Sequence, residues 1–185
     1  MTDAPDRKRR VDREHILQCH GIKRFAENAI DMPRTDYLFI GFDMAGQKTQ
    51  NQRAREATRG IIPGTPDTCL HIAGLPPLWV ELKVHPNKAS DVQNQTMARL
   101  ARAGCRVGIA YSVVEYCHLM REWGVLLKPN ADFQAQVLDG NVATLIAKAE
   151  ARAESGGSTR KAKAAPRFTA GKRMVARAAK SGIRL

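Results

Sequence analysis

The chain has 185 residues, 43% of them hydrophobic and 5% aromatic, with 30 Lys and Arg against 18 Asp and Glu for a formal net charge of +12. This length suits one domain with its own core and excludes two large ones. No apolar run reaches the roughly 18 residues of a membrane span, and no apolar signal segment follows the charged first residues, so we expect a cytoplasmic protein without a membrane partner.

The chain opens with a basic arm, a helix and a strand. Residues 1–11 are rich in charge and form the arm. Residues 12–29 carry a ragged apolar stripe with helical spacing that Pro33 closes, which predicts a helix with Glu14 in its first turn. Residues 37–42 are a short apolar run, which indicates a strand.

A long polar connection and a hairpin follow. Residues 44–66 are polar and long for a connection, and such segments are typically functional or partly helical. Residues 68–73 and 78–84 are strand-like runs that flank Gly-Leu-Pro-Pro, a turn signal. They predict a β-hairpin.

The hairpin brings charged side chains together. Alternation along its second strand places Trp79, Glu81 and Lys83 on one face. Folding the hairpin about its turn returns Asp67 to the neighbourhood of Lys83. Two carboxylates and one lysine are therefore expected at one end of the hairpin.

The remaining elements alternate between helix and strand. Residues 90–93 have the form of a capping box that opens a helix ending at Gly104, and residues 106–111 predict a buried strand. A second capping pattern at residues 112–115 opens a helix to about Glu122.

The last predicted elements complete an α/β fold with a mixed sheet. Residues 125–127 are a short apolar run that we interpret as a final strand, and residues 132–153 favour a helix interrupted at residues 139–141. Helices and strands in this order are typical of a mixed sheet flanked by helices.

The C-terminal segment is a strongly basic tail. Residues 155–185 begin with Ser-Gly-Gly-Ser and contain nine Lys and Arg but no acid. Such a composition cannot bury enough apolar surface to offset its ordering entropy, so we predict a tail that is disordered or only partly helical when free. Its charge favours a nucleic acid partner through counterion release, and the alternative is a solvated tail that only maintains solubility.

The cysteines indicate no special chemistry. Cys19, Cys69, Cys105 and Cys117 are widely separated in sequence and form no Cys-x-x-Cys pair. We therefore expect neither a disulfide framework nor a zinc site.

The converging Asp67, Glu81 and Lys83 suit a hard divalent cation, because Mg²⁺ prefers one or two carboxylates together with water and phosphate oxygens. A cation held there would activate water beside a scissile phosphate, and Lys83 would position that water or stabilise the charge that develops. The alternative is a surface strand whose Glu81 and Lys83 face solvent without further role.

Four motifs in this region resemble the VRR-NUC family of the PD-(D/E)XK nuclease superfamily, and the stand-alone phage and bacterial members are the most similar in length. The resemblance covers roughly residues 12–127. The motifs are residues 64–67 (GTPD), 79–83 (WVELK), 90–93 (SDVQ) and 100–107 (LARAGCRV).

The resemblance implies a PD-(D/E)XK nuclease-like mixed sheet flanked by helices and metal-dependent hydrolysis of DNA, often of Holliday junctions, flaps or other branched DNA cut by homodimers. It implies Mg²⁺ or Mn²⁺ as cofactor. The domain organisation is then an arm over residues 1–11, a nuclease domain over 12–130, a helical extension over 131–154 and the tail over 155–185.

The resemblance also implies residue roles. Asp67 and Glu81 are expected metal ligands and Lys83 the catalytic base or water-orienting residue. The family's acidic residue on the first helix matches Glu14 as a further metal ligand, with Glu27 a distant second. Gln93 matches a glutamine near the site, although the third helical position of a capping box accounts for it equally well.

One departure from the family pattern is the segment after Lys83, where His85-Pro86-Asn87-Lys88 replaces a glycine-bearing turn. Charge placement alone suggests which residues contact DNA phosphates. These are Lys48, Arg53, Arg55, Arg59, Lys161, Lys163, Lys172 and Arg173.

Two alternatives stay open on the sequence. A non-catalytic DNA-binding or scaffold protein would keep the fold and use the basic tail. A nuclease acting on RNA is the second alternative, because no feature of the sequence reads a 2′-hydroxyl.

Overall fold

The structure, a computed structural model, describes residues 11–42 and 49–155. It begins with a continuous N-terminal helix made of α1 (Arg13–Ile16), a π-helical segment (Leu17–Ile22) and α2 (Lys23–Ala29). The carboxylate of Asp12 accepts a hydrogen bond of 3.0 Å from the backbone N–H of His15 and so caps the first turn. The predicted helix over residues 12–29 is confirmed.

Four strands form one mixed sheet in the order β1-β2-β3-β4. The β1–β2 and β2–β3 pairs are antiparallel and the β3–β4 pair is parallel. The hairpin prediction is confirmed, since β2 and β3 are adjacent antiparallel strands. The strands are β1 (Tyr37–Gly41), β2 (Thr68–Ile72), β3 (Leu78–Leu82) and β4 (Arg106–Ala110).

Helices flank the sheet, so the predicted mixed α/β class is confirmed. The described part of the connection between β1 and β2, from residue 49 onward, contains one helix, and the two capping patterns each open the expected helix. The Ser90 and Gln93 capping box is complete. These helices are α3 (Gln50–Thr58), α4 (Asp91–Arg102), α5 (Val113–Glu122) and α6 (Ala131–Glu154).

The core lies between the sheet and the N-terminal helix, α5 and α6. Phe25 of α2 and Tyr116 of α5 meet edge to face, with ring centroids 6.0 Å apart. Leu70, Val80 and Leu82 of the sheet are fully buried beside them. This apolar packing fixes the N-terminal helix against the sheet, and so fixes the residues that both elements present at the hairpin end.

The strand predicted over residues 125–127 is wrong. In the described ranges this run joins no sheet and forms only an isolated antiparallel bridge between Ile30 and Leu127. Asp31 N donates to Leu126 O and Lys128 N to Ala29 O, each at 2.9 Å. The run therefore pairs with the end of α2 and the residues that follow it, without being a strand of the sheet.

The predicted interruption at residues 139–141 is also wrong, because α6 continues through it. The carboxylate of Asp139 accepts hydrogen bonds from the backbone N–H groups of Val113 and Val114 at 2.6 and 3.1 Å. Asp139 thus caps α5 from a neighbouring helix, and this contact offsets the poor helix propensity of Asp-Gly-Asn.

No helix within residues 11–42 and 49–155 combines the length and the apolar character needed to cross a bilayer.

Candidate active site

At the end of the hairpin, hydrogen bonds fix both the backbone and the side chain of Asp67. Asp67 directly precedes β2, and its carbonyl oxygen accepts a hydrogen bond of 2.7 Å from the backbone N–H of Phe42. Its Oδ2 accepts a hydrogen bond of 2.8 Å from the backbone N–H of Leu82 on β3. The carboxylate of Asp67 is therefore fixed beside the strand that carries Glu81.

Glu81 and Lys83 form a buried ion pair. Glu81 has an exposed fraction of 0% and Lys83 of 5%. The Nζ of Lys83 lies 2.5 Å from Oε1 of Glu81. Burial of both side chains rules out the interpretation in which they are ordinary solvent-facing residues of a surface strand.

Gln93 serves the helix cap and the site with the same side chain. Its Oε1 accepts a hydrogen bond of 2.8 Å from the backbone N–H of Ser90, which completes the capping box of α4. Its Nε2 donates to Oε1 of Glu81. The capping role of Gln93 is confirmed, and the other end of the same amide contacts Glu81.

Glu14 reaches the site from the N-terminal helix. Its Oε2 lies 3.6 Å from Nζ of Lys83, and its Oε1 accepts a hydrogen bond of 3.1 Å from Nδ2 of Asn87. Glu27, the second candidate, forms an ion pair with Lys23 at 3.9 Å. Of the two acidic residues, Glu14 is the one that contacts the site.

The protonation equilibria of the three central residues are shifted by burial and by each other. Burial and the neighbouring Asp67 carboxylate raise the pKa of Glu81 to about 7, although Lys83 acts in the opposite direction. Burial also raises the pKa of Asp67, against the hydrogen bond from the backbone of Leu82. Burial lowers the pKa of Lys83, but its hydrogen bond and ion pair with Glu81 outweigh burial and hold that pKa above its usual range.

The raised pKa of Glu81 predicts a pH dependence of stability in EDTA. The pKa rises from 4.5 in the unfolded chain to about 7 in the folded protein, so the native state binds the extra proton between these values. The contribution of Glu81 to the free energy of unfolding is therefore full below pH 4.5 and is lost as the pH rises to about 7.

Urea unfolding of the wild type and of Glu81→Gln at several pH values between about 4.5 and 8 would measure this contribution. As the pH rises, the free energy of unfolding of the wild type should fall relative to that of Glu81→Gln, and the difference should then level off. A difference independent of pH would contradict the raised pKa.

The donor set fits a hard divalent cation in part. The Oε2 of Glu81 is buried and accepts no hydrogen bond from the described residues, and Asp67 supplies a second carboxylate beside it. Two carboxylates are what Mg²⁺ commonly takes from a protein. Within the described ranges no group of three or more His, Cys, Asp or Glu side chains is arranged around a metal position. The Nζ of Lys83 contacts both Glu14 and Glu81.

Gly64 lies in the loop before Asp67 and packs against the start of α4. Its φ is +75°, and a Cβ there would lie 2.7 Å from the carbonyl oxygen of Val92 and 2.9 Å from the backbone nitrogen of Gln93. The hydroxyl of Thr96 donates to the carbonyl of Pro63 at 2.9 Å beside this approach. The loop and the helix therefore meet backbone to backbone, which requires glycine.

We expect Gly64→Ala to destabilise the protein by about 1–3 kcal/mol, because the loop must move away from α4 and carry Asp67 with it. Gly124→Ala is a matched control, since its φ is +79° but no atom of the described residues lies within 4 Å of the added Cβ. Both variants place alanine at a positive φ, but only Gly64→Ala also meets the backbone of α4. Comparing their thermal unfolding therefore separates the cost of backbone strain from the cost of that close contact. Equal losses of stability in the two variants would contradict a role for that approach.

The predicted DNA-contacting bases fall partly within the described residues. Arg55 lies in α3 and Arg59 just after it, and both are exposed. The backbone of Arg53 lies in α3. The remaining predictions, Lys48, Lys161, Lys163, Lys172 and Arg173, lie outside the described residues, as do the arm over residues 1–10 and the tail from residue 156.

Two residues at the site were missed by the sequence interpretation. Asn87 binds Glu14, and Nε2 of Gln18 donates a hydrogen bond of 3.0 Å to the carbonyl of Asp67. The spacing of Gln18 from Glu14, four residues along one helical face, was a usable signal. Asn87 offered none, because its turn departs from the family pattern.

Comparisons of this chain with protein-family models, with curated proteins and with solved structures found no match.

Proposed function

We propose that this chain is a metal-dependent endonuclease that hydrolyses phosphodiester bonds in DNA, with Mg²⁺ or Mn²⁺ as cofactor. The supporting observation is the cluster at the hairpin end, in which two carboxylates and a buried lysine converge. The specific feature is the buried Oε2 of Glu81, which accepts no hydrogen bond from the described residues and lies beside the Asp67 carboxylate. A buried carboxylate oxygen without a hydrogen bond is costly unless a cation or water satisfies it.

Asp67 and Glu81 would hold the cation. When bound, Mg²⁺ polarises a scissile phosphate and lowers the pKa of a bound water. Gln93 and Lys83 both bond to Oε1 of Glu81, which leaves Oε2 for the cation. Each of these two hydrogen bonds orients the Glu81 carboxylate.

Lys83 acts as an ammonium group in this proposal. In the metal-free protein the hydrogen bond and ion pair with Glu81 raise the pKa of Lys83, and a protonated Nζ would orient water and stabilise negative charge. Glu14 contacts Nζ from the side of the N-terminal helix, and Asn87, which follows β3, holds the Glu14 carboxylate through a hydrogen bond. Such preorganised charge is among the larger contributions to catalysis of phosphoryl chemistry.

The proposed substrates are Holliday junctions, flaps and other branched DNA, in agreement with the resemblance to the VRR-NUC family. A four-way junction presents two symmetry-related strands, which a homodimer with C₂ symmetry would match. Light scattering of the protein alone and with a junction would test the dimer.

Cleavage of labelled duplex, single-stranded, flap and four-way-junction DNA in Mg²⁺, Mn²⁺ or EDTA tests the function, with single-stranded RNA as a further substrate. We expect metal-dependent cutting with a preference for branched DNA. Tight DNA binding with no cutting in any metal would favour the non-catalytic binding protein, and preferential cutting of RNA would identify a ribonuclease.

The basic tail is proposed to supply phosphate contacts that do not depend on sequence. Deleting residues 155–185 removes nine positive charges, and removal of a single phosphate contact lowers the salt slope of binding to B-DNA by about 0.9. Fluorescence anisotropy at several salt concentrations should show weaker binding and a shallower slope. An unchanged slope would exclude the tail as a DNA-binding segment.

A further inference from the structure

The main chain at Asp67 is held by a side chain from a distant part of the sequence. Nε2 of Gln18 donates a hydrogen bond of 3.0 Å to the carbonyl oxygen of Asp67, 49 residues away. The same oxygen accepts the backbone N–H of Phe42 at 2.7 Å. Both acceptor positions of that carbonyl are therefore used, and the residue that carries the carboxylate is fixed from two elements.

Gly41 leaves the space that the Gln18 amide occupies. Gly41 is paired with Thr68 in the β1–β2 register, next to Asp67. A Cβ at Gly41 would lie 2.9 Å from Nε2 of Gln18. Its φ lies outside the left-handed region, so the strand itself does not require glycine here. An added methyl group would therefore displace the Gln18 amide, the mobile end of that side chain, without straining the strand.

The helix that carries Gln18 is anchored in the core. Gln18 lies in the π-helical segment Leu17–Ile22, and a Cβ at Gly21 of that segment would lie 2.7 Å from a methyl group of Val113 and 3.1 Å from one of Val142. The segment thus packs with its backbone close to α5 and α6. Single π-helical turns within α-helices occur frequently at functional sites.

We propose that Gln18 is a positioning residue, which holds the main chain at Asp67 so that the Asp67 carboxylate is presented to the metal ion. Gly41 serves the same purpose by admitting the Gln18 amide. The role of Asp67 as a metal ligand rests on the proposed function. The positioning of Asp67 by Gln18 is a property of the metal-free protein. A site built on rigid elements holds its ligands more accurately than one on a loop alone.

The test uses the full chain with Gln18→Leu, Gly41→Ala and the double variant, and Gln95→Leu as a control on an exposed position of α4. The first readout is hydrogen exchange of the Leu82 amide by NMR in EDTA, because this amide donates to Oδ2 of Asp67. The second is Mn²⁺ affinity from the electron paramagnetic resonance signal of free Mn²⁺. Circular dichroism checks that each variant is folded.

We expect each single variant to exchange the Leu82 amide about 3- to 10-fold faster, the size expected for removal of one hydrogen bond, and to bind Mn²⁺ more weakly. The double variant should be no worse than Gln18→Leu, since both changes remove the same interaction. Gln95→Leu should match the wild type.

Unchanged Leu82 exchange in a folded Gln18→Leu protein would overturn the inference, as would faster exchange with unaltered Mn²⁺ affinity. If the wild type bound no Mn²⁺ and cut no DNA while Leu82 exchange rose as expected, the proposed function would fail and the positioning of Asp67 by Gln18 would stand.

Discussion

Lys83→Met is expected to reduce metal-dependent DNA cleavage by about 10²- to 10³-fold, the usual loss when a preorganised charge is removed from a transition state. Methionine retains much of the side-chain length but cannot donate to Oε1 of Glu81 or neutralise it. Single-turnover cleavage of a labelled junction in Mg²⁺ would measure the effect. A folded variant that cleaves at the wild-type rate would contradict the proposed role of Lys83.

The same substitution carries a stability cost, so its control must restore the fold. Removing one partner of a buried ion pair costs about 3–5 kcal/mol when the other charge remains, and uptake of a proton by Glu81, whose pKa is about 7, reduces that cost. Glu81→Gln/Lys83→Met removes both charges and should regain stability. The double variant also lacks the proposed metal ligand Glu81, so it reports on folding alone. We expect it to be more stable than Lys83→Met, which would assign the stability loss of the single variant to the unpaired Glu81 carboxylate.

Asp67→Asn is expected to weaken metal binding and cleavage by at least about 100-fold, because substitution of residues that only support a metal ligand already costs about 10- to 100-fold. An asparagine oxygen can still accept the hydrogen bond from the backbone N–H of Leu82. The fold should therefore survive while the negative charge is lost. Calorimetric titration with Mn²⁺ and a cleavage assay over a range of metal concentrations would measure both effects.

Asp31→Asn provides the matched control for Asp67→Asn, since Asp31 is an exposed aspartate that follows the N-terminal helix. It should retain wild-type metal affinity and cleavage. If Asp67→Asn bound Mn²⁺ as tightly as this control, Asp67 would not be a metal ligand.

Local sequence patterns predicted most of the elements correctly. The alternation along β3, the turn signal of the hairpin and the capping box at Ser90 depend only on residues that are close in sequence. They also sufficed to bring Asp67, Glu81 and Lys83 together, because a hairpin places its two ends side by side. The apolar run at residues 125–127 was misassigned, since its hydrogen-bond partners lie far away beside Ile30.

Distant contacts decided what the sequence left open at the site. Whether Gln93 serves the cap or Glu81 depends on how α4 lies against β3, and whether Glu14 or Glu27 reaches Lys83 depends on how the N-terminal helix packs. The support of Asp67 by Gln18 joins residues 49 positions apart. A pattern of neighbouring residues cannot predict a contact across that separation in sequence.

The sequence by itself therefore determined the mixed α/β class, the hairpin and the charged trio at its end, because short-range periodicity and turn chemistry are properties of neighbouring residues. Only the tertiary structure decided that Glu81 and Lys83 are buried, that Asp139 belongs to a continuous α6, and that one oxygen of Glu81 is left without a hydrogen-bond partner among the described residues. Burial and hydrogen-bond satisfaction depend on how separate elements pack against one another, and that packing also sets the shifted pKa values of the site.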